Sequence, residues 1–93
     1  MDMSKVITLD VSELEPPHPM HQITAKLYQL TIGEVLLVTH RRKPIPLFDM
    51  ITGQFEYACH QVSDERYQIV FWRAGDEEAA LWAQQLTKEN LPR

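Results

Sequence analysis

The residues of this sequence that could hold a metal ion or haem lie in and after a proline-rich stretch. His18 and His21 are three residues apart, Met20 lies between them, and His40 comes later in the chain. Imidazole and thioether groups suit copper or haem iron. No carboxylate or cysteine stands at a regular metal-ligand spacing from them. We therefore expect no cofactor and keep a metal or haem site at these four residues as an alternative.

A basic run follows the second predicted strand, with the sequence His40-Arg41-Arg42-Lys43. Such runs usually form solvated turns, but beside a helix N-terminus this one would favour an anion. The formal net charge of −4 argues against a general nucleic-acid binder. The expected partner is therefore a small anionic ligand or an acidic protein segment, and neither a nucleic acid nor a membrane.

The single cysteine, Cys59, rules out an internal disulfide bond. It falls in the middle of a predicted strand, on the same face as Phe55 and Tyr57, while His60 is expected to face the opposite side. This position favours a small buried apolar residue over a reactive thiol. A sulfur-transfer or redox protein that uses Cys59 is the alternative.

Catalysis has little support in the sequence, which contains no glycine-rich phosphate loop, Ser-His-Asp candidate or convergent carboxylate pair. Asp10, at the end of the first strand, could act as a base. We expect its carboxylate to brace the following loop through backbone N–H groups instead. The prediction is a protein that is not an enzyme.

The hydrophobic pattern predicts the element order β-α-β-α-β-β-α. Runs of β-branched and apolar residues favour strands, and apolar residues three and four apart between Met20 and Leu30 favour one face of a helix. The predicted strands span 6–11, 35–40, 55–62 and 66–73, and the predicted helices span 18 or 19 to 30, 47–51, and 76 to about 88 with Asp76 as N-cap.

This order predicts an α/β (α+β) two-layer sandwich, in which helices pack on one face of a mixed four-stranded sheet. The first strand-helix-strand unit implies parallel neighbouring strands, and residues 63–65 close a hairpin. The C-terminal helix, with Leu81 and Trp82, is expected to cover the open face or an edge of the sheet. A homodimer that buries its apolar stripe is the alternative. We expect residues 1–93 to form one domain.

Two proline-containing loops follow the carboxyl ends of the strands that we predict to be adjacent and parallel. They should meet at one edge of the sheet, where open α/β sheets tend to bind ligands. The first loop is stiffened by proline and the second is basic. The predicted binding edge consists of Pro16, Pro17, His18, Pro19, Met20, His40, Arg41, Arg42, Lys43 and Pro44.

The expected location is the cytoplasm. A lone cysteine does not suggest an oxidising compartment. The first residues, MDMSKVITLD, lack the basic start and apolar run of a signal peptide. No apolar stretch approaches the ~20 residues that span a bilayer.

The segment LDVSELEPPHP, the helix after it, GEVLLV and a short proline-led helix together resemble the TusA/SirA-like sulfur-carrier superfamily. Those proteins carry a Cys-Pro-x-Pro motif at the start of the first helix. On this chain the motif falls on 16–19, where Pro17 and Pro19 match and Pro16 replaces the cysteine. The resemblance implies the carrier fold without persulfide chemistry, because proline cannot accept sulfur.

The chain is more similar to a bacterial family of unknown function in that superfamily, with motifs like LDVRxLEPPEPM and HxREPxPL. Here these motifs fall on residues 9–20 and 40–47, and the resemblance covers about 6–73. His18 and Lys43 stand where that family often has carboxylates, which makes this edge more basic. The resemblance implies a non-enzymatic binding or interaction module whose C-terminal helix, 76–88, lies outside the common core.

Overall fold

A computed structural model of the chain describes residues 5–90 and confirms the predicted order of strands and helices. The seven elements are β1 (Val6–Asp10), α1 (His18–Leu27), β2 (Val35–His40), α2 (Ile45–Ile51), β3 (Phe55–Ser63), β4 (Arg66–Arg73) and α3 (Glu77–Asn90). In this part of the chain no helix is long and apolar enough to cross a membrane.

The four strands form one mixed sheet in the order β1-β2-β4-β3. β1 and β2 are parallel, with Val6 opposite Val35 and Asp10 opposite Thr39. β4 is antiparallel to both β2 and β3. The carboxyl ends of β1 and β2 therefore lie at the same edge as the turn between β3 and β4.

α1 and α2 pack on one face of the sheet, as predicted. Ile23 and Leu27 of α1 and Leu47 of α2 are fully buried there. They join Phe71 and other alternate residues of the strands in the larger core cluster. Successive residues of a strand point to alternate faces of the sheet. The residues before and after Phe71 in β4 therefore face the side away from α1 and α2.

α3 covers that other face, as the self-covering interpretation predicted. Val35 and Val70 of the sheet and Ala79 and Ala83 of α3 form a second buried cluster. Helices therefore flank both faces of the sheet, and Leu81 is 64% exposed on the outer side of α3. The homodimer stays a prediction.

α1 and α2 each differ from the sequence prediction at one boundary, and α3 ends at Asn90, about two residues later than predicted. α1 ends at Leu27 instead of Leu30, because the N–H groups of Gln29 and Leu30 donate to carbonyls only three residues back and tighten the chain into a turn. Leu30 is nevertheless buried. α2 begins at Ile45, two residues early, and Pro46 is accommodated in its first turn.

Asp76 is the N-cap of α3, as predicted, and also ties this helix to the loop before β2. Its Oδ1 accepts the N–H of Ala79 at 3.1 Å, and its Oδ2 accepts the N–H of Gly33 at 2.8 Å. Gly33 has a φ of +83°, and a Cβ there would lie 2.5 Å from Oε2 of Glu78. The positive φ therefore favours glycine at 33, whereas the Glu78 carboxylate is the end of a flexible side chain that can move aside.

We predict that Asp76→Ala lowers the free energy of unfolding by about 2 kcal/mol, since it removes a helix cap and leaves the Gly33 N–H unpaired. Urea unfolding followed by circular dichroism measures this. Asp49→Ala is the matched control, because Asp49 is an exposed carboxylate in the middle of α2. If the two variants are equally stable, the capping role is wrong.

Candidate functional site

The predicted edge contains a cavity of about 330 Å³ between the two proline-containing loops. One wall comes from Pro16, Pro17, Pro19 and Met20, and the other comes from His40, Arg42, Lys43, Pro44 and Pro46. Eight of the ten predicted residues thus meet in one concave surface. Pro46 was not among the predicted residues, although its place two residues after Pro44 could have indicated that it belongs to the same wall.

Two predicted residues lie elsewhere. His18 is exposed at the start of α1. Arg41 lines a second depression of about 330 Å³ with residues from two other loops, namely Ser12, Glu13, Ser63, Glu65 and Arg66. Arg41 therefore lies on the other side of the basic loop from the cavity that Arg42 lines.

Proline makes the wall of the first loop apolar and removes backbone donors from the start of α1. Pro17 is the N-cap residue, the Pro16–Pro17 peptide bond is cis, and no side chain caps the helix. The N–H of His18 donates to the carbonyl of Glu15 at 3.0 Å, and Pro19 has no N–H. The helix start therefore offers an anion few free donors, contrary to the expectation from the sequence.

The positive charge at the cavity comes from Arg42 and Lys43, which are exposed. In the part of the chain that the structure describes, neither they nor Arg41 form an ion pair. Their backbone is nevertheless fixed, since the Lys43 carbonyl accepts the N–H of Ile45 at 2.9 Å and the Pro44 carbonyl accepts two N–H groups of α2. Cations on a rigid loop without carboxylate partners can pair with an external anion.

His40 lies at the junction of β2 and the basic loop and is half-buried. Its Nδ1 accepts the N–H of Arg42 at 3.0 Å, so the neutral ring carries its proton on Nε2. Burial, and then the charges of Arg41 and Arg42, hold the pKa of His40 below its usual value. The ring is therefore neutral at pH 7 and contributes a flat, weakly polar surface.

We predict that the protein becomes less stable relative to His40→Gln as the pH falls from 7 towards 5. The unfolded chain takes up a proton at His40 near pH 6.5, whereas the folded protein does so at lower pH. Between these values the unfolded state holds more protons, so the free energy of unfolding decreases as the pH falls. Urea unfolding of both proteins at each pH tests this, and parallel pH profiles would contradict it.

Cys59 packs against the larger core cluster and is partly buried. Burial raises the pKa of its thiol, and the nearby charge of Lys43 acts in the opposite direction. A raised pKa disfavours the thiolate that sulfur transfer requires. His60 lies on the opposite face, where its Nε2 is buried without a hydrogen-bond partner among the described residues.

The three histidines among the candidate metal ligands do not form a three-ligand group within the described part of the chain. Among the described side chains, those of residues 5–87, no three from His, Cys, Asp or Glu come close enough to hold a metal ion. His18 and His21 are exposed on α1. Met20 and His40 are the members of the predicted set that line the shared cavity.

Asp10 braces the first loop, as predicted. Its Oδ1 accepts the hydroxyl of Ser12 at 2.6 Å and the backbone N–H of Ser12 at 2.9 Å. These hydrogen bonds, first that of the hydroxyl and then that of the N–H, lower the pKa of Asp10. A carboxylate held in its charged form in this way is a poor general base.

One family matches the part of the chain that contains both loops. It is described as an uncharacterized conserved protein, DUF2249, and the match covers residues 8–73. No curated protein and no solved structure matches the chain. Since the match spans more than half of the sequence, the chain belongs to the DUF2249 family.

Proposed function

We propose that this protein is a non-enzymatic binding module that holds an anionic ligand or partner at the edge formed by residues 16–20 and 40–44. In this proposal it is a bacterial, cytoplasmic relative of the TusA/SirA-like sulfur carriers, with Pro16 in place of the carrier cysteine. The observation that supports a binding role is the cavity between Pro16–Met20 and the loop with Arg42 and Lys43.

The two walls of the cavity suit two parts of one ligand. Proline rings and Met20 offer apolar surface, and burying about 100 Å² of it contributes ~2.5 kcal/mol. Arg42 and Lys43 offer charge-assisted hydrogen bonds of about 1.5–3 kcal/mol each. After a cost of about 4 kcal/mol for association, a small ligand that uses both walls should bind with a dissociation constant on the order of 1 mM.

A titration with three small probes tests the proposal. Naphthoate combines a ring with a carboxylate, naphthylmethanol is its neutral match, and inorganic phosphate has the charge without the ring. The isotope-labelled protein reports through backbone amides and, since proline has no amide, through the methyl group of Met20. We expect naphthoate to shift the signals of Met20, His40, Arg42 and Lys43, and the other two probes to bind at least tenfold more weakly.

Two results would overturn the proposal. One is naphthoate shifts centred on α3 or on the β3 edge. The other is no shift at the cavity with any of the three probes at millimolar concentration. Met50 supplies an internal control, because it is exposed on α2 and does not line the cavity.

A further inference from the structure

We infer that the partner at this edge is an extended segment of another protein, with one large apolar side chain beside acidic residues. This inference rests on the proposed function and adds the chemical class of the partner. The first cavity accounts for the apolar side chain, and Arg42 and Lys43 account for the acidic residues. A second depression, lined in part by Arg41, lies across the loop. A segment that reaches both depressions must be extended.

The two depressions lie on either side of the same loop, since Arg41 lines one and Arg42 lines the other. Each has a volume of about 330 Å³, near the lower limit of pockets that enclose a small molecule. A compact ligand fills one of them. An extended chain that crosses the loop reaches both, since residues two apart point the same way and are about 7 Å apart.

The charges that line the two depressions determine which side chains of the partner segment each depression binds. Arg42 and Lys43 have no ion-pair partner within the described residues, so acidic side chains belong beside the first cavity. In the second depression Arg41 and Arg66 are offset by Glu13 and Glu65, and Ser12 and Ser63 add hydroxyl groups. That depression suits a neutral polar side chain such as asparagine or glutamine.

A fluorescent peptide, Asn-Gln-Asp-Trp-Glu-Asp, tests the inference by anisotropy. We expect it to bind at least tenfold more tightly than two matched peptides, one with Trp replaced by Gln and one with the acidic residues replaced by their amides. The double variant Arg42→Gln, Lys43→Gln should lose at least tenfold in affinity, and the paired control Lys5→Gln, Lys26→Gln, which removes the same charge away from the cavity, should lose none. Arg41→Ala should weaken the peptide about threefold and should weaken naphthoate, whose cavity Arg41 does not line, by less than about twofold.

The outcomes separate this inference from the proposed function. If naphthoate binds the cavity but the peptide binds no tighter than its matched forms, the edge takes a small ligand and the protein-segment inference is wrong. The same conclusion follows if Arg41→Ala leaves peptide binding unchanged, or if oligothymidylate binds as tightly as the peptide. If neither naphthoate nor the peptide binds, the proposed function fails as well.

Discussion

Exchanging Arg42 and Lys43 together for glutamate is expected to weaken naphthoate binding by about 30-fold or more. Each cation should supply a charge-assisted hydrogen bond, and every ~1.4 kcal/mol lost is a factor of ten in affinity. The glutamates would also repel the carboxylate. Titration of both proteins under the same salt conditions gives the ratio of dissociation constants.

This effect should appear without loss of stability. Both side chains are exposed and form no ion pair with the described side chains of residues 5–87, so the fold does not depend on such a pair. The paired variant Lys5→Glu, Lys26→Glu is the control for net charge, because it also changes the charge by −4, before β1 and near the far end of α1, where neither residue lines the cavity. Equal losses in the control and the double variant would mean that overall charge, and not this loop, determines binding.

Replacing Phe71 by alanine is expected to lower the free energy of unfolding by about 3–5 kcal/mol. Phe71 is fully buried at the centre of the sheet, opposite Leu36 on one side and Tyr57 on the other. Its ring lies 6.2 Å from that of Phe48, so it also joins α2 to the sheet. A chain of this size is marginally stable, with a total of about 5–10 kcal/mol, so much of the protein should unfold at 37 °C.

Urea unfolding of Phe71→Ala and of the milder Phe71→Leu tests this prediction. The leucine variant should lose roughly a third as much stability, because it leaves a smaller cavity. A loss below about 1 kcal/mol for alanine would show that this side of the core repacks easily. In that case Phe71 would not be what holds α2, and the basic loop before it, against the sheet.

The position of the site could be predicted because it follows from the parallel pairing of β1 and β2. Apolar runs marked both strands, and the helix between them made the pair parallel. Asp10 and His40 therefore end at the same edge, which brings the two loops together. The proline-rich and basic sequences then identified most of the cavity lining.

The remaining features depend on contacts between residues distant in the sequence. The pattern of α3 predicted an apolar stripe, but Ala79 and Ala83 face Val35 and Val70 only because of how the sheet is assembled. The position of Arg41 depends on the hairpin turn, which places Arg66 at the same edge. Periodicity within one element contains no information about either contact.

The most direct test of a binding site at the proline-rich edge is a nuclear Overhauser measurement between bound naphthoate and the methionine methyl groups. Met20 lines the cavity and Met50 does not. We predict transfer from the ring protons to the Met20 methyl group and none to that of Met50. Transfer to the Met50 methyl group, or to Ala80 and Ala83 of α3 without any to Met20, would contradict a binding site between the two loops.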